Sequence, residues 1–548
     1  MSSFADPIAA GLARGWKVID RSAARLPELI ECDVAIIGSG AGGGITAEIL
    51  AGNGLRVVLI EEGPLKSSRD FNMREADAYP NLYQESAARK TADKAVNILQ
   101  GRCVGGSTTV NWTSSFRTPA QTLDFWRQRF DLPSFTPAAL APWFARAEAR
   151  LGIGTWPIAP NENNDLLRRG AAKLGIAALA IRRNVKNCLN LGYCGMGCPT
   201  NAKQSMLVTT IPAALDRGAQ LLTRARAHSL IFEGGSQGRK VAAIEVQWLD
   251  AEGLRPGGQR CAVKARHFVL AGGAINSPAL LLRSNAPDPL KLAGKRTFLH
   301  PTVISAATFE QRVDAHAGAP QTIFSDHFLD TAPIDGPLGY KLEVPPLHPL
   351  LFASTVQGFG PAHAARMKTF AHTQVIIALL RDGFHPQSGG GSVSLRSDGT
   401  PVLDYPLDPL FFEAARRAFL SMAEIQFAAG ATEVVPVHEM AGGYASWPQA
   451  RESIAALPLV PLLTRVVSAH VMGGCPISGD DTQGLVNPDG VHHHIDNLSV
   501  HDGSLFPTSI GANPQLSIYG ITARLATALA SKLIGRPAAG FAGAGADP

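Results

Sequence analysis

The 548-residue chain has little charge for its length and no long apolar run. Asp, Glu, Lys and Arg make up 17% of it, where about 25% is usual, and the formal net charge is only +5. No block of Lys or Arg is long enough to build a nucleic-acid groove, which argues against nucleic acid as a partner. With 45% hydrophobic residues a disordered chain is excluded. No stretch approaches the roughly 18 apolar residues that cross a bilayer; the longest candidate, Ile454 to Leu463, is broken by Pro458 and Pro461. Cysteine is scarce and odd in number, seven in all, and Cys32, Cys103, Cys261 and Cys475 are scattered without framework spacing, which argues against a disulfide-built secreted domain. The opening MSSFADPIAAGLARGWKVID lacks the basic-then-apolar order of a secretory signal. The expected location is cytoplasmic or peripheral to a membrane. Residues 1–30 read as an N-terminal arm. Phe4, Ile8, Leu12, Trp16 and Ile19 could line one side of a helix there, suited to docking on the protein body or to touching a membrane surface.

Glycine is plentiful instead, 55 residues, against a usual share of about 7%. The first cluster follows the apolar, β-branched run Val34 to Ile37, which reads as a parallel strand covered on both faces. Gly38, Gly40 and Gly43 then fall in G-x-G-x-x-G spacing, Ile45 to Leu50 reads as a helix, and Val57 to Ile60 as a second buried strand ending in Glu61. Strand, glycines, helix, strand and carboxylate together indicate dinucleotide binding. Gly38 permits the tight turn, Gly40 the approach of a pyrophosphate, and Gly43 close helix packing. The helix N-terminus supplies amide donors for phosphate, and Glu61 can accept from a ribose diol.

A second glycine cluster lies at GRCVGGSTTVNW, Gly101 to Trp112, and Ala262 to Ala286 again reads strand, glycine turn, helix. The Pro-rich part from about Pro287 to Pro461 carries short β-like runs, Val375 to Leu380 and Gly391 to Leu395, that suggest an antiparallel domain over the ligand. Leu498 to Leu529 returns to strand, loop and helix, so both ends of the chain close the nucleotide domain.

In order, GSGAGGG with Glu61, GRCVGGSTTVN, GGAINSPALLLRSN, SAHVMGGCPIS and NLSVHDGSLFPTSIGANPQLSIYGITA resemble the motifs of the glucose-methanol-choline (GMC) flavoprotein oxidoreductases over residues 31 to 535, most like the long-chain alcohol oxidase branch. The resemblance implies an α/β fold, α+β overall: a Rossmann-like FAD-binding domain with a mainly parallel sheet (31–130, 200–290, 465–535), and a substrate domain on an antiparallel sheet with flanking helices (131–199, 291–464), followed by a tail (536–548). It implies that Gly38, Gly40, Gly43 and Glu61 hold the ADP part of FAD. Gly105, Gly106, Ser107 and Asn111 would lie along flavin and pyrophosphate, Asp502 and Gly503 near phosphate and ribityl, and Asn513 with Pro514 beside the isoalloxazine. Some members carry a flavin-linked His where this chain has Val110, so the FAD is expected to be non-covalent. His470 matches the family's base, and Asn513 its partner, which can donate to the substrate oxygen but cannot take its proton. The implied reaction oxidises a primary, hydrophobic alcohol, with oxygen or a quinone or cytochrome as acceptor. A sugar or sterol dehydrogenase, a non-redox hydroxynitrile-lyase-like enzyme and a non-catalytic flavin protein are the competing readings.

One further signal stays open at this level. Cys188, Cys194 and Cys198 in CLNLGYCGMGC could wrap an iron–sulfur cluster, as the resemblance to the loop of bacterial FAD-dependent glucose dehydrogenases suggests. The segment also resembles the long-chain alcohol oxidase loop, where no cluster is expected, and zinc is a third reading. The run His492, His493, His494 reads as a solvated strand and turn, since adjacent strand side chains face opposite ways. His300 in LHPT reads as structural.

Overall fold

The computed structural model describes residues 4–235 and 238–541 and contains two eight-stranded sheets. Leu29–Ile37 and Val57–Ile60 are covered on both faces, as their composition requires: Val34, Ala35, Ile36 and Leu59 have no exposed surface. They lie centrally in the first sheet, whose order is Lys17–Asp20, Gln220–Thr223, Val57–Ile60, Leu29–Ile37, Pro256–Leu270, Val241–Leu249, Ala225–Phe232, with Leu498–Val500 paired parallel to Pro256–Leu270. The strands up to Pro256–Leu270 are parallel and the last two antiparallel. Helix Ala41–Gly52 is buried on almost every side because the C-terminal helix Gln515–Ile534 packs against it. This is the Rossmann-like half expected from the first glycine motif.

The second sheet runs Val96–Ile98, Val466–Ser468, Thr302–Thr308, Thr373–Leu380, Tyr340–Glu343, Ile323–Ser325, Leu179–Ala180, with Glu433–Pro436 also on Thr302–Thr308. Only the Val466–Ser468 and Val96–Ile98 pair is parallel. Helix Pro409–Ala429 packs on Thr302–Thr308 and Thr373–Leu380. Its ends are set locally: the Asp408 side chain accepts from the amide of Phe411, and Gly430 closes the helix at φ +103°. The expected α/β architecture with an antiparallel second sheet is present.

Several stretches differ from expectation. The N-terminal helix stops at Ala13 and does not reach Ile19. Gly15 turns the chain at φ +94°, Trp16 folds back onto Gly11, where a Cβ would stand 2.3 Å from its ring, and Lys17–Asp20 becomes an edge strand of the first sheet. The Trp16 indole N–H donates to Asp216 at 2.7 Å, so this arm packs on the body of the protein. Helix Pro137–Arg150, expected in the substrate domain, packs on Gln515–Ile534 in the first core, whereas Val96–Ile98 and Val466–Ser468 join the second sheet. Three-residue strands carry no local mark of which sheet they will enter. Residues 1–3 of the arm and 542–548 of the tail lie outside the described residues. No helix among the described residues is long and apolar enough to cross a membrane.

Candidate active site

Three glycine turns meet at one cavity. Leu29–Ile37 runs into Gly38 at φ +100°, where a Cβ would stand 2.3 Å from the carbonyl oxygen of Ala271. Gly43 is needed for the same packing, its would-be Cβ 1.9 Å from the Gly38 oxygen. Gly40 is different. The nearest atom to its would-be Cβ is Gly106 Cα at 3.8 Å, an ordinary contact, so the demand for glycine comes from the cavity that Gly40 lines. Glu61 is buried at the end of its strand and accepts from the Ser39 amide (3.1 Å), Ser39 Oγ (2.6 Å) and the Gly63 amide (2.8 Å). Burial pushes its pKa up. These bonds use three of about four acceptor positions on a carboxylate, leaving one for a ligand hydroxyl.

Gly106, Ser107, Asn111, Asp502, Gly503, Asn513 and Pro514 also line the cavity. Gly43 and Gly105 do not: Gly105, at φ +88°, turns behind the wall and donates its N–H to Ser39 Oγ at 3.0 Å. The Asp502 carboxylate is taken up by protein donors, the amide of Gly273 (2.8 Å), Ser277 Oγ (2.6 Å) and the amide of Ser504 (2.7 Å). Its work is to fix the third turn, Gly272–Gly273. After the helix that follows this turn, Asn285 itself supplies left-handed backbone, φ +47°.

The cavity, about 1350 Å³, extends from these turns to the second sheet, where Ile304, Val375, Ile377 and Leu379 line it. Leu347, Leu350, Leu351 and Phe352 add to that apolar end. Of the other apolar run, Ile454 to Leu463, only Leu462 reaches it.

His470 and Asn513 lie on the wall of this one cavity, and each has a partner that the sequence did not mark. Nδ1 of His300 stands 3.0 Å from Nδ1 of His470, and the Gly511 amide donates to Nε2 of His300 at 3.1 Å. A neutral His300 therefore carries its hydrogen on Nδ1 and donates it, leaving the neutral His470 protonated on Nε2. Burial, then the Lys341 ammonium, holds the pKa of His470 down to about 3. Burial, then His470, Lys341 and Arg381, pushes His300 well below its usual value. His300 is thus part of the site and not merely structural. The Asn513 carboxamide accepts from Lys341 Nζ at 3.4 Å and donates to Glu343 Oε2 at 3.1 Å. Lys341 and Glu343 share one face of Tyr340–Glu343, and that alternation is the only sign the sequence held.

The cysteines do not converge. Among the described residues no three His, Cys, Asp or Glu form a group able to hold a metal ion. Cys188 Sγ accepts from the Asn190 amide, Cys198 Sγ meets Thr200 Oγ1 at 3.5 Å, and Cys194 Sγ faces Arg183 at 3.7 Å. Lys203, just past this segment, ties it to the second glycine loop: its Nζ donates to the carbonyls of Thr109 (2.7 Å), Asn111 (2.7 Å) and Cys194 (2.6 Å). His492 is buried, not solvated as expected, and burial drives its pKa to about 3. Its backbone bridges to Val486 across a short turn.

Two family models, both described as GMC oxidoreductase, match residues 79–302 and 386–522. The chain belongs to the GMC oxidoreductases. These are FAD-dependent enzymes acting on CH–OH groups. This GMC oxidoreductase is 29% identical over 505 residues to an uncharacterised GMC-type oxidoreductase of Sinorhizobium fredii, covering 92% of this chain and 95% of the relative. It is 28% identical over 509 residues to a long-chain-alcohol oxidase of Arabidopsis thaliana, covering 90% and 67%. Its fold matches formate oxidase of Aspergillus oryzae (TM-score 0.67, 15% identity, 93% and 100% covered) and pyridoxine 4-oxidase from Mesorbium loti (TM-score 0.66, 19% identity, 90% and 98% covered).

The residues fit FAD. Gly40 keeps clear a space that the protein does not itself fill, Glu61 retains an acceptor, and the helix N-terminus at Ala41 and Gly42 opens on the same cavity.

Proposed function

We propose that this GMC oxidoreductase oxidises a primary, hydrophobic medium- or long-chain alcohol to the aldehyde with non-covalently bound FAD. The observation that supports the reading is that His470 and Asn513 line the same cavity as the glycine turns and an apolar sheet face. Gly38, Gly40, Glu61, Gly106, Ser107 and Asn111 would hold the cofactor, and Val110, on the cavity wall, offers no nucleophile for a covalent link. FAD, when bound, supplies the acceptor for the carbinol hydride at flavin N5.

The chain's own residues do the rest. Apolar side chains such as Ile377, Leu379 and Phe352 take the alkyl tail and exclude water from the carbinol. Asn513 donates its free N–H to the hydroxyl oxygen and holds it in place. His470 takes the hydroxyl proton. Because the neutral pair keeps a hydrogen on Nε2 of His470, the lone pair it has to give is the one His300 occupies, so proton uptake requires the contact with His300 to open.

The test is anaerobic stopped-flow on the FAD-loaded enzyme. 1-Dodecanol should bleach the oxidised flavin band faster than glucose or choline does, and reoxidation by oxygen is then timed against reoxidation by a quinone or cytochrome. Reduction by sugars or choline alone would refute the substrate class, and turnover without flavin reduction would favour a lyase.

A further inference from the structure

Lys341 and Glu343 are fully buried, with side chains 4% and 0% exposed and Nζ 3.2 Å from Oε1. Desolvating two charges is costly, and well-packed apolar replacements of such a pair are often neutral or stabilising. Packing alone therefore does not account for an ion pair at this depth. Its contacts do: the two charges grip opposite ends of one carboxamide. Lys341 Nζ donates to Oδ1 of Asn513 at 3.4 Å, and Glu343 Oε2 accepts from Nδ2 at 3.1 Å. The grip is itself braced. Glu343 Oε2 also accepts from Gln321 Nε2 at 2.7 Å, whose Oε1 accepts from Ser114 Oγ at 2.7 Å, and Lys341 Nζ sits 2.9 Å from the ring centre of Phe116. Turning the amide over would set its oxygen against the carboxylate and its NH₂ against the ammonium. One orientation survives, with one N–H committed to Glu343 and the other free on the cavity wall.

We propose that Lys341 and Glu343 are positioning residues that lock the Asn513 carboxamide so that it offers the substrate oxygen an N–H and never its carbonyl. The proposal rests on the reading of Asn513 as the group that orients the substrate.

The test is a double-mutant cycle in FAD-loaded enzyme, read as the rate of flavin reduction at saturating 1-dodecanol and as the Kd of the product dodecanal from flavin difference spectra. Asn513→Ala should slow reduction by roughly tenfold or more. Lys341→Met should slow it by a similar factor in the parent and by less than about twofold in the Asn513→Ala background, and the Kd of dodecanal should follow the same pattern. Since Lys341→Met strands a carboxylate and threatens folding, Lys341→Met/Glu343→Leu removes both charges; it should bind FAD normally yet reduce it as slowly as Asn513→Ala. Equal losses from Lys341→Met in both backgrounds, or a Lys341→Met/Glu343→Leu enzyme at parental rate and Kd, would overturn the lock while leaving the role of Asn513 intact. An Asn513→Ala enzyme at parental rate and Kd would overturn both.

Discussion

The Nδ1 atoms of His300 and His470 stand 3.0 Å apart, and one hydrogen lies between them. The Gly511 amide fixes its owner: with Nε2 of His300 already accepting, the hydrogen belongs to His300. The pair at this distance is a neutral pair, since a protonated His470 would bring a second N–H to the same gap. Its pKa values agree, both rings being held below the usual histidine range chiefly by burial.

The pH profile follows. A base must be neutral to work, and a lowered pKa keeps it neutral into acid. The acidic limb of kcat/KM should therefore fall well below the ordinary histidine value of about 6.5. His300→Ala opens the site to water and relieves the desolvation of His470, so that limb should move upward. An unchanged limb in a variant that still binds FAD would show that His470 is not the titrating base.

Stability should respond to acid in the same sense. His267, His470, His492 and His501 have pKa values lowered to about 3, and His300 is lowered well below its usual value, mainly by burial. Below about pH 6.5 the unfolded chain binds protons that the folded one refuses. Stability is then lost as pH falls through the unfolded value, and thermal midpoints should drop steadily from pH 7 to pH 5.

Gly40 and Gly42 should separate binding from folding. A Cβ at Gly40 meets nothing closer than 3.8 Å, whereas one at Gly42 would lie 1.5 Å from the carbonyl oxygen of His501. Gly40→Ala is expected to keep the thermal midpoint of the apoprotein and to lose FAD affinity by about tenfold, or 1.4 kcal/mol. Gly42→Ala should fail to accumulate as folded protein. Comparing apoprotein melting with flavin titration for each variant checks both.

Lys203 should matter through the loop it braces. Lys203→Met leaves three carbonyls without their donor, at about 1 kcal/mol each and so roughly 3 kcal/mol in all, and frees the Thr109–Asn111 segment on the cavity wall. Denaturant midpoints should fall and FAD should bind more weakly. Metal analysis of anaerobically prepared protein should find no iron, since Cys188, Cys194 and Cys198 each have a different partner.

What the sequence made legible was local. The run from Val34 through Gly38, Gly40 and Gly43 to Glu61 encodes a strand, a turn and a helix within thirty residues, and each needs only its neighbours to be read. His470 and Asn513 were legible through motifs. Their partners were not: His300 is 170 positions from His470 and Lys341 is 172 from Asn513, and nothing in the segments around either announces a contact made by the fold. The same holds for Val96–Ile98, whose sheet is decided by Val466–Ser468 at the other end of the chain. The Cys-rich loop stayed open in the sequence because spacing along the chain says little about where thiols point when Gly192 and Gly197 bend the backbone at positive φ.

The placement of Leu498–Val500 against Pro256–Leu270, and of Gln515–Ile534 over Ala41–Gly52, bears on how the protein is made. The glycine-rich turn emerges early in synthesis, but one face of its helix, which also packs on Thr210–Asp216, waits for Gln515–Ile534 far downstream. His470 and Asn513 also lie far downstream of that turn. A chain stopped before His470 thus lacks both the helix that covers the nucleotide site and the two residues proposed to act on the substrate.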